Sequence, residues 1–129
     1  MASNATRKVA EKLISYCRDD DTQQALNELY DTNAVSIEAI PMPGADSPKS
    51  QGLEAIKAKH EWWYSAYTVH SSEAQGPYFH GEDRFAIFFE MDTTYKETGT
   101  RSSMKDIGIY TVANGKIIRE EFYYEHNEE

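Results

Sequence analysis

The stretch "SSMKDIGIYTVANGKIIREEFYY", Ser102 to Tyr124, constrains the fold more than any other part of this chain. It reads as two strands joined at Asn114-Gly115, the dipeptide that best tolerates the positive φ angles of a tight hairpin turn. Upstream, "DRFAIFFEMDTTYK" reads as a long strand and "ETG" as the turn that leads into the hairpin. Before these, "TVHSSEAQGPYFH" is a strand interrupted at Gly76-Pro77, where a bulge or bend is expected. The second half therefore predicts four consecutive antiparallel strands. One residue is out of place in this pattern. Asp106 sits inside a half-buried strand, among Ile107, Ile109, Tyr110 and Val112.

The first half has the other period. Val9, Leu13, Tyr16 and Cys17 recur at helical spacing, with Ala10 and Ile14 widening the stripe. "DDDT" interrupts it, and Asp21 followed by Gln24 reads as a capping box for a second helix carrying Ala25, Leu26, Leu29 and Tyr30. "NAVSIEAI" is a short strand. "PMPGADSPKSQG" holds three prolines and two glycines and reads as a loop. A third helix begins near Gly52, with Leu53, Ile56, His60, Trp63 and Tyr67 on one stripe. Helices first and antiparallel strands afterwards imply an α+β fold, with the helices gathered on one face of a curved sheet. No repeat or linker divides the chain, so residues 1–129 are expected to form one domain.

Charge and composition narrow the function classes. A net charge of -9 opposes binding to nucleic acid or to an anionic membrane surface. No apolar run approaches the ~20 residues of a membrane span, and "MASNATRKVAEK" has no signal-like apolar core. Cys17 is the one cysteine, which precludes an intrachain disulfide and suits a reducing compartment, so a cytoplasmic location is expected. It lies on an amphipathic segment with no activating neighbour and reads as a packed thiol. "HEWWY" lacks the second histidine of a helical zinc site, and no metal is expected. Nothing fits a nucleophilic triad, a phosphate-cradling glycine loop or a dinucleotide-binding turn.

Three stretches carry a resemblance: "DDDTQQALNELYDTNAVSIEAI", "GLEAIKAKHEWWY" and "IGIYTVANGKIIREEFYY", the last containing the pattern aromatic-x-Val-x-x-Gly-Lys-Ile-Ile from Tyr110 to Ile118. In these the chain resembles the SnoaL-like domains of the nuclear transport factor 2-like superfamily, over nearly its whole length. The resemblance implies a cone-like, cystatin-like fold, in which a bent sheet wraps the helices and leaves an apolar pocket at its open end. It also implies a homodimer formed through the outer sheet face, a small apolar ligand, and no metal or organic cofactor. Members include ketosteroid isomerases, polyketide cyclases, dehydratases and non-catalytic binding or dimerisation modules, so activity has to be argued from the site.

Proton-transfer chemistry needs a carboxylate or histidine facing the pocket, with its proton affinity tuned by burial and neighbouring charge. Glu38 falls where the resemblance implies a base; the bland alternative is a solvated glutamate at a strand end. Asp106 lies two residues before Gly108, the position at which the resemblance implies an acid. If the "ETG" turn pairs Lys96 with Thr100, Glu90 comes opposite Asp106. If it pairs Tyr95 with Thr100, Phe89 does. Its bland alternative is a rim aspartate held by Arg101 or Lys105. His60 is the third candidate for catalysis, or else a hydrogen-bonded core histidine; His70 and His80 fall on the broken strand and His126 on the tail. Tyr16, Trp63, Phe88 and Tyr110 are the candidate ligand-binding residues, with core packing as their alternative. In the last strand, Ile118, Glu120, Phe122 and Tyr124 are expected on one face and Ile117, Arg119, Glu121 and Tyr123 on the other. Three readings follow: an isomerase, cyclase or dehydratase using Asp106 or Glu38; a ligand-binding or dimerisation module; or a protein-transport adaptor.

Overall fold

The computed structural model describes residues 1–125, so His126 lies outside the described residues. Its elements are α1 (Asn4–Arg18), α2 (Thr22–Leu29), β1 (Tyr30–Ile37), β2 (Lys49–Gln51), α3 (Leu53–Ala66), β3 (Tyr67–His80), β4 (Arg84–Tyr95), β5 (Thr100–Ala113) and β6 (Lys116–Tyr123). The strands form one open, curved sheet in the order β2-β1-β6-β5-β4-β3. β3 to β6 run antiparallel as expected, and β1 joins beside β6 in parallel. The α+β architecture with three helices against a curved sheet is therefore as the sequence implies.

Local chemistry sets the helix starts. Ser3 caps α1 by accepting the Thr6 amide, and Asp21 caps α2 by accepting the Gln24 amide. α3 begins at Gly52, whose φ of 91° lets the chain turn sharply while its N–H donates to the Ala34 carbonyl at 2.8 Å. The core is closed by Val9, Leu13 and Ile14 of α1, Leu26 and Leu29 of α2 and Ile56 of α3, packed on Phe85, Ile87, Tyr110, Val112 and Ile117 of the sheet.

Two expectations change. The tail of the proline-rich loop is a strand, because Lys49–Gln51 pairs antiparallel with Val35–Ile37. More consequential is β6. Thr111 pairs with Arg119 but Val112 pairs with Ile117, so Ile118 is the extra residue of a bulge. The strict alternation read from the sequence breaks there. Ile117 is buried while Ile118 is exposed, and Ile117 and Glu120 share the inner face.

The outer face is apolar and open. Ala86 and Ile109, and Phe88 and Ile107, pair across β4 and β5, with Tyr78 and Tyr123 flanking them. Tyr78, Ala86, Ile107, Ile109 and Tyr123 border an open depression of about 380 Å³ that also meets His80 and Arg84.

Candidate functional site

The inner face holds a buried ionic group built from three elements, β1, β6 and α3. Register places Glu120 of β6 opposite Tyr110 on one side and Ser36 of β1 on the other. Its side chain is fully buried. One carboxylate oxygen accepts from the Tyr30 hydroxyl, and the other accepts from Ser36 Oγ at 2.7 Å. Lys59 comes down from α3, one turn after the buried Ile56. Its ammonium donates to Ser36 Oγ and to Glu38 Oε2, the latter at 2.8 Å, and stands 3.9 Å from Glu120 Oε2. It also lies 5.2 Å from the centroid of the Phe122 ring. Glu38, just beyond β1, takes a second bond from the Tyr124 hydroxyl at 2.9 Å. A continuous chain of contacts thus runs from Tyr124 and Glu38 at the rim to Glu120 and Tyr30 in the core. A depression of about 260 Å³ runs along the ends of β1 and β6, bordered by Ile37, Glu38 and Ala39 on one side and by residues 121–124 on the other.

Asp106 is the third carboxyl, and its situation is different. Tyr95 pairs with Thr100, so Phe89 faces Asp106, while Glu90 pairs with Lys105 on the opposite face. The second of the two registers read from the sequence is the one formed. Arg101 is engaged elsewhere, in a two-bond pair with Asp92 at 3.0 and 2.7 Å. Asp106 Oδ1 is sealed from solvent and has no hydrogen-bond partner. Burial, then the charges of Glu38 and Glu120, push its pKa up from 3.8 to about 7, with Lys59 opposing. Asp106, Gly108 and Tyr110 follow one another along the inner face of β5. Gly108 has no side chain because Tyr110 occupies the space: a Cβ there would lie 2.9 Å from the Tyr110 hydroxyl oxygen. Tyr110 stacks on Phe85 at 5.0 Å and meets Phe122 edge-on at 6.3 Å. Burial and the Glu120 charge hold its hydroxyl well above the ordinary phenol range.

The remaining predicted residues divide. His60 follows Lys59 on α3; burial lowers its pKa against the pull of Glu120, which favours the neutral imidazole. Trp63 stacks on Tyr67 at 4.9 Å near the end of the same helix. Tyr16 is not brought to the group. Its hydroxyl donates to Glu28 at 2.7 Å, and Lys12 joins Glu28 at 3.0 Å, tying α1 to α2. Phe88 lies on the outer face beside Ile107, across the sheet from Asp106. Burial pushes the Cys17 thiol up to about 12, the state of an inert thiol. Among the described residues, no three His, Cys, Asp or Glu side chains converge as a metal site.

Sequence reasoning passed over Lys59, Glu120, Ser36, Tyr30 and Tyr124 as site residues. A signal existed for some of them. Lys59 lies three residues after Ile56 and four before Trp63, as close to the α3 stripe as His60. Ser36 alternates with Glu38 along β1. Nothing in the sequence signalled that a bulge would turn Glu120 inward beside Ile117.

A family model described as a SnoaL-like domain matches residues 4–124. The chain belongs to the SnoaL-like family. Among solved structures, this SnoaL-like protein is similar to a candidate SnoaL-like polyketide cyclase from Mesorhizobium loti, with 36% identity and a TM-score of 0.85 over 92% of this chain and 97% of that one. A candidate isomerase from Bacillus subtilis shares 21% identity, with a TM-score of 0.73 over 94% of this chain and 86% of that one. A computationally designed 17-OHP binder shares the fold at 16% identity and a TM-score of 0.71, covering 95% of each chain. No curated protein matches this SnoaL-like chain. Among its described residues no helix is long and apolar enough to cross a membrane.

Proposed function

We propose that this SnoaL-like protein transfers a proton within a small, mainly apolar ligand, as an isomerase, cyclase or dehydratase, with Asp106 as the group that takes and returns the proton. The observation that carries the reading is the carboxyl itself. It has an unpartnered, sealed oxygen and a pKa near 7, so acid and base forms coexist at neutral pH. In its base form Asp106 accepts a proton from carbon beside a carbonyl; in its acid form it returns that proton elsewhere on the ligand. The ligand ends isomerised and the carboxyl unchanged. Glu38, held by Lys59 and Tyr124, contributes fixed negative charge that keeps Asp106 protonatable. Phe89, opposite Asp106, and Phe122 supply apolar surface for such a ligand. The cyclase and isomerase descriptions of the similar structures support the class. The reaction needs no metal or organic cofactor. Homodimerisation through the outer face around Tyr78, Ile107 and Tyr123, and a cytoplasmic location, belong to the same proposal.

A second reading, a non-catalytic ligand-binding module, is favoured by the similarity to the designed 17-OHP binder. One experiment separates them. A panel of cyclic ketones, enones and β-hydroxyketones is screened for deuterium exchange and isomerisation with the parent and with Asp106→Asn. Exchange that disappears in the variant while ligand binding persists supports proton transfer. Exchange unchanged by the substitution rules it out, and binding without exchange in either protein favours the module.

A further inference from the structure

Beyond adding to the negative charge that acts on Asp106, the buried Glu120 has no part in proton transfer there. A fully buried carboxylate held by two hydroxyls and an ammonium is an expensive arrangement, and well-packed apolar residues often replace such groups with no loss of stability. Its presence asks for another role.

The geometry of Lys59 suggests one. Its ammonium has carboxylates on two sides, Glu38 at 2.8 Å and Glu120 at 3.9 Å, and Ser36 Oγ bridges it to the farther one. Ser36 and Glu120 are fixed by neighbouring register positions on β1 and β6, and Tyr30 pins the remaining oxygen of Glu120. The ammonium is therefore held from the core side, and its reach toward the rim is limited. Asp106, on the same inner face, receives no hydrogen bond from it.

We propose that Glu120, Ser36 and Lys59 form a positioning arm, which commits the ammonium to Glu38 and leaves Asp106 as the carboxyl free to exchange a proton with a ligand. The assignment rests on the proton-transfer reading for its use, but its geometry stands without it. The charged and titratable groups around Asp106 are Glu38 beyond β1, Lys59 on α3, Glu120 on β6, Tyr124 after β6 and Tyr110 on its own strand. β4 presents the uncharged Phe89. Lys59 is the cation that opposes the protonation of Asp106.

The test is a carboxyl-carbon NMR titration of Asp106 in the ligand-free full chain. Lys59→Met removes the opposing charge and raises the Asp106 midpoint by about half a unit or more; Lys59→Arg returns it to within about 0.3 unit of the parent. The same comparison in an E38Q background excludes an effect relayed by Glu38. Ser36→Ala changes no charge. It releases the ammonium from the core side, lets it follow Glu38 toward the rim, and lowers the midpoint by a few tenths of a unit, on the order of a weak through-space charge effect. Should K59M not fold, S36A decides the matter alone. A structural role for the arm moves the melting temperature and leaves the midpoint where it was, and that result overturns the proposal. Because no substrate enters the measurement, an arm that behaves as described while Asp106→Asn leaves exchange intact would sink the proton-transfer reading and spare the arm.

Discussion

The closed and open ends of one sheet face treat a carboxyl in opposite ways. At the closed end Glu120 is sealed, but both its oxygens are hydrogen-bonded and an ammonium stands nearby. At the open end Asp106 is less buried, yet one oxygen has no partner and two carboxylates press on it. Burial alone therefore does not decide whether an acid is a structural part or a reactive one. The donors do. Where Tyr30 and Ser36 supply them, both carboxyl oxygens are satisfied; where β4 supplies Phe89, the proton stays on until near neutrality.

The largest expected effect comes from removing the satisfied carboxylate. Glu120→Ala leaves Tyr30 and Ser36 with unmet hydroxyls and takes a counter-charge from Lys59, and should destabilise the fold by about 3–5 kcal/mol in urea unfolding. A loss under about 1 kcal/mol would mean that the closed end tolerates an empty site, and the contrast would fail.

Asp106→Asn should act in the other direction. Asp106 keeps its proton in the folded state up to about 7, whereas its ordinary value is 3.8. Across that window the folded chain binds one proton more than the unfolded one, so the group's contribution is fully present below the lower value and is lost as pH rises through the upper. The parent should lose stability from pH 4 to pH 8, with a ceiling near 4 kcal/mol from about three pKa units at ~1.4 kcal/mol each. The asparagine variant should lack this slope and be the more stable protein at pH 8, by roughly 1–3 kcal/mol, an amide having its own unmet bonds. Parallel melting curves at several pH values check it. An identical pH slope in both proteins would place Asp106 among ordinary solvated acids.

Much of this was legible before the structure. The hairpin at Asn114-Gly115, the Asp21 cap and the stripes of α1 and α3 follow from turn chemistry and periodicity, which act between near neighbours. Asp106 stood out because a carboxylate breaks the apolar pattern of its strand. The ionic group was not legible, because it depends on register between distant strands. Glu120 faces inward only through the bulge at Ile118, and it meets Ser36 only through the parallel pairing of β1 with β6. Phe88 and Phe89 differ by one residue and lie on opposite faces, a choice set by where the turn before Thr100 closes.

Gly108 separates the two ends and gives the smallest effect. It pairs with Ile87 and Phe122, between Asp106 toward the rim and Tyr110 beside Glu120. Its backbone is ordinary strand, so conformational freedom is not the reason for glycine. The reason is space: a Cβ would approach the Tyr110 ring and hydroxyl at 2.9–3.0 Å. Gly108→Ala must push that ring away, and Phe85 on one side and Phe122 on the other leave little room. A cost of about 1–2 kcal/mol is expected, as for mild overpacking. Tyr110→Phe removes the hydroxyl, one of the close contacts, so the double variant should recover part of that loss. A Gly108→Ala protein as stable as the parent would show that Tyr110 can move freely, and with it that the closed end is not as rigidly held as its hydrogen bonds imply.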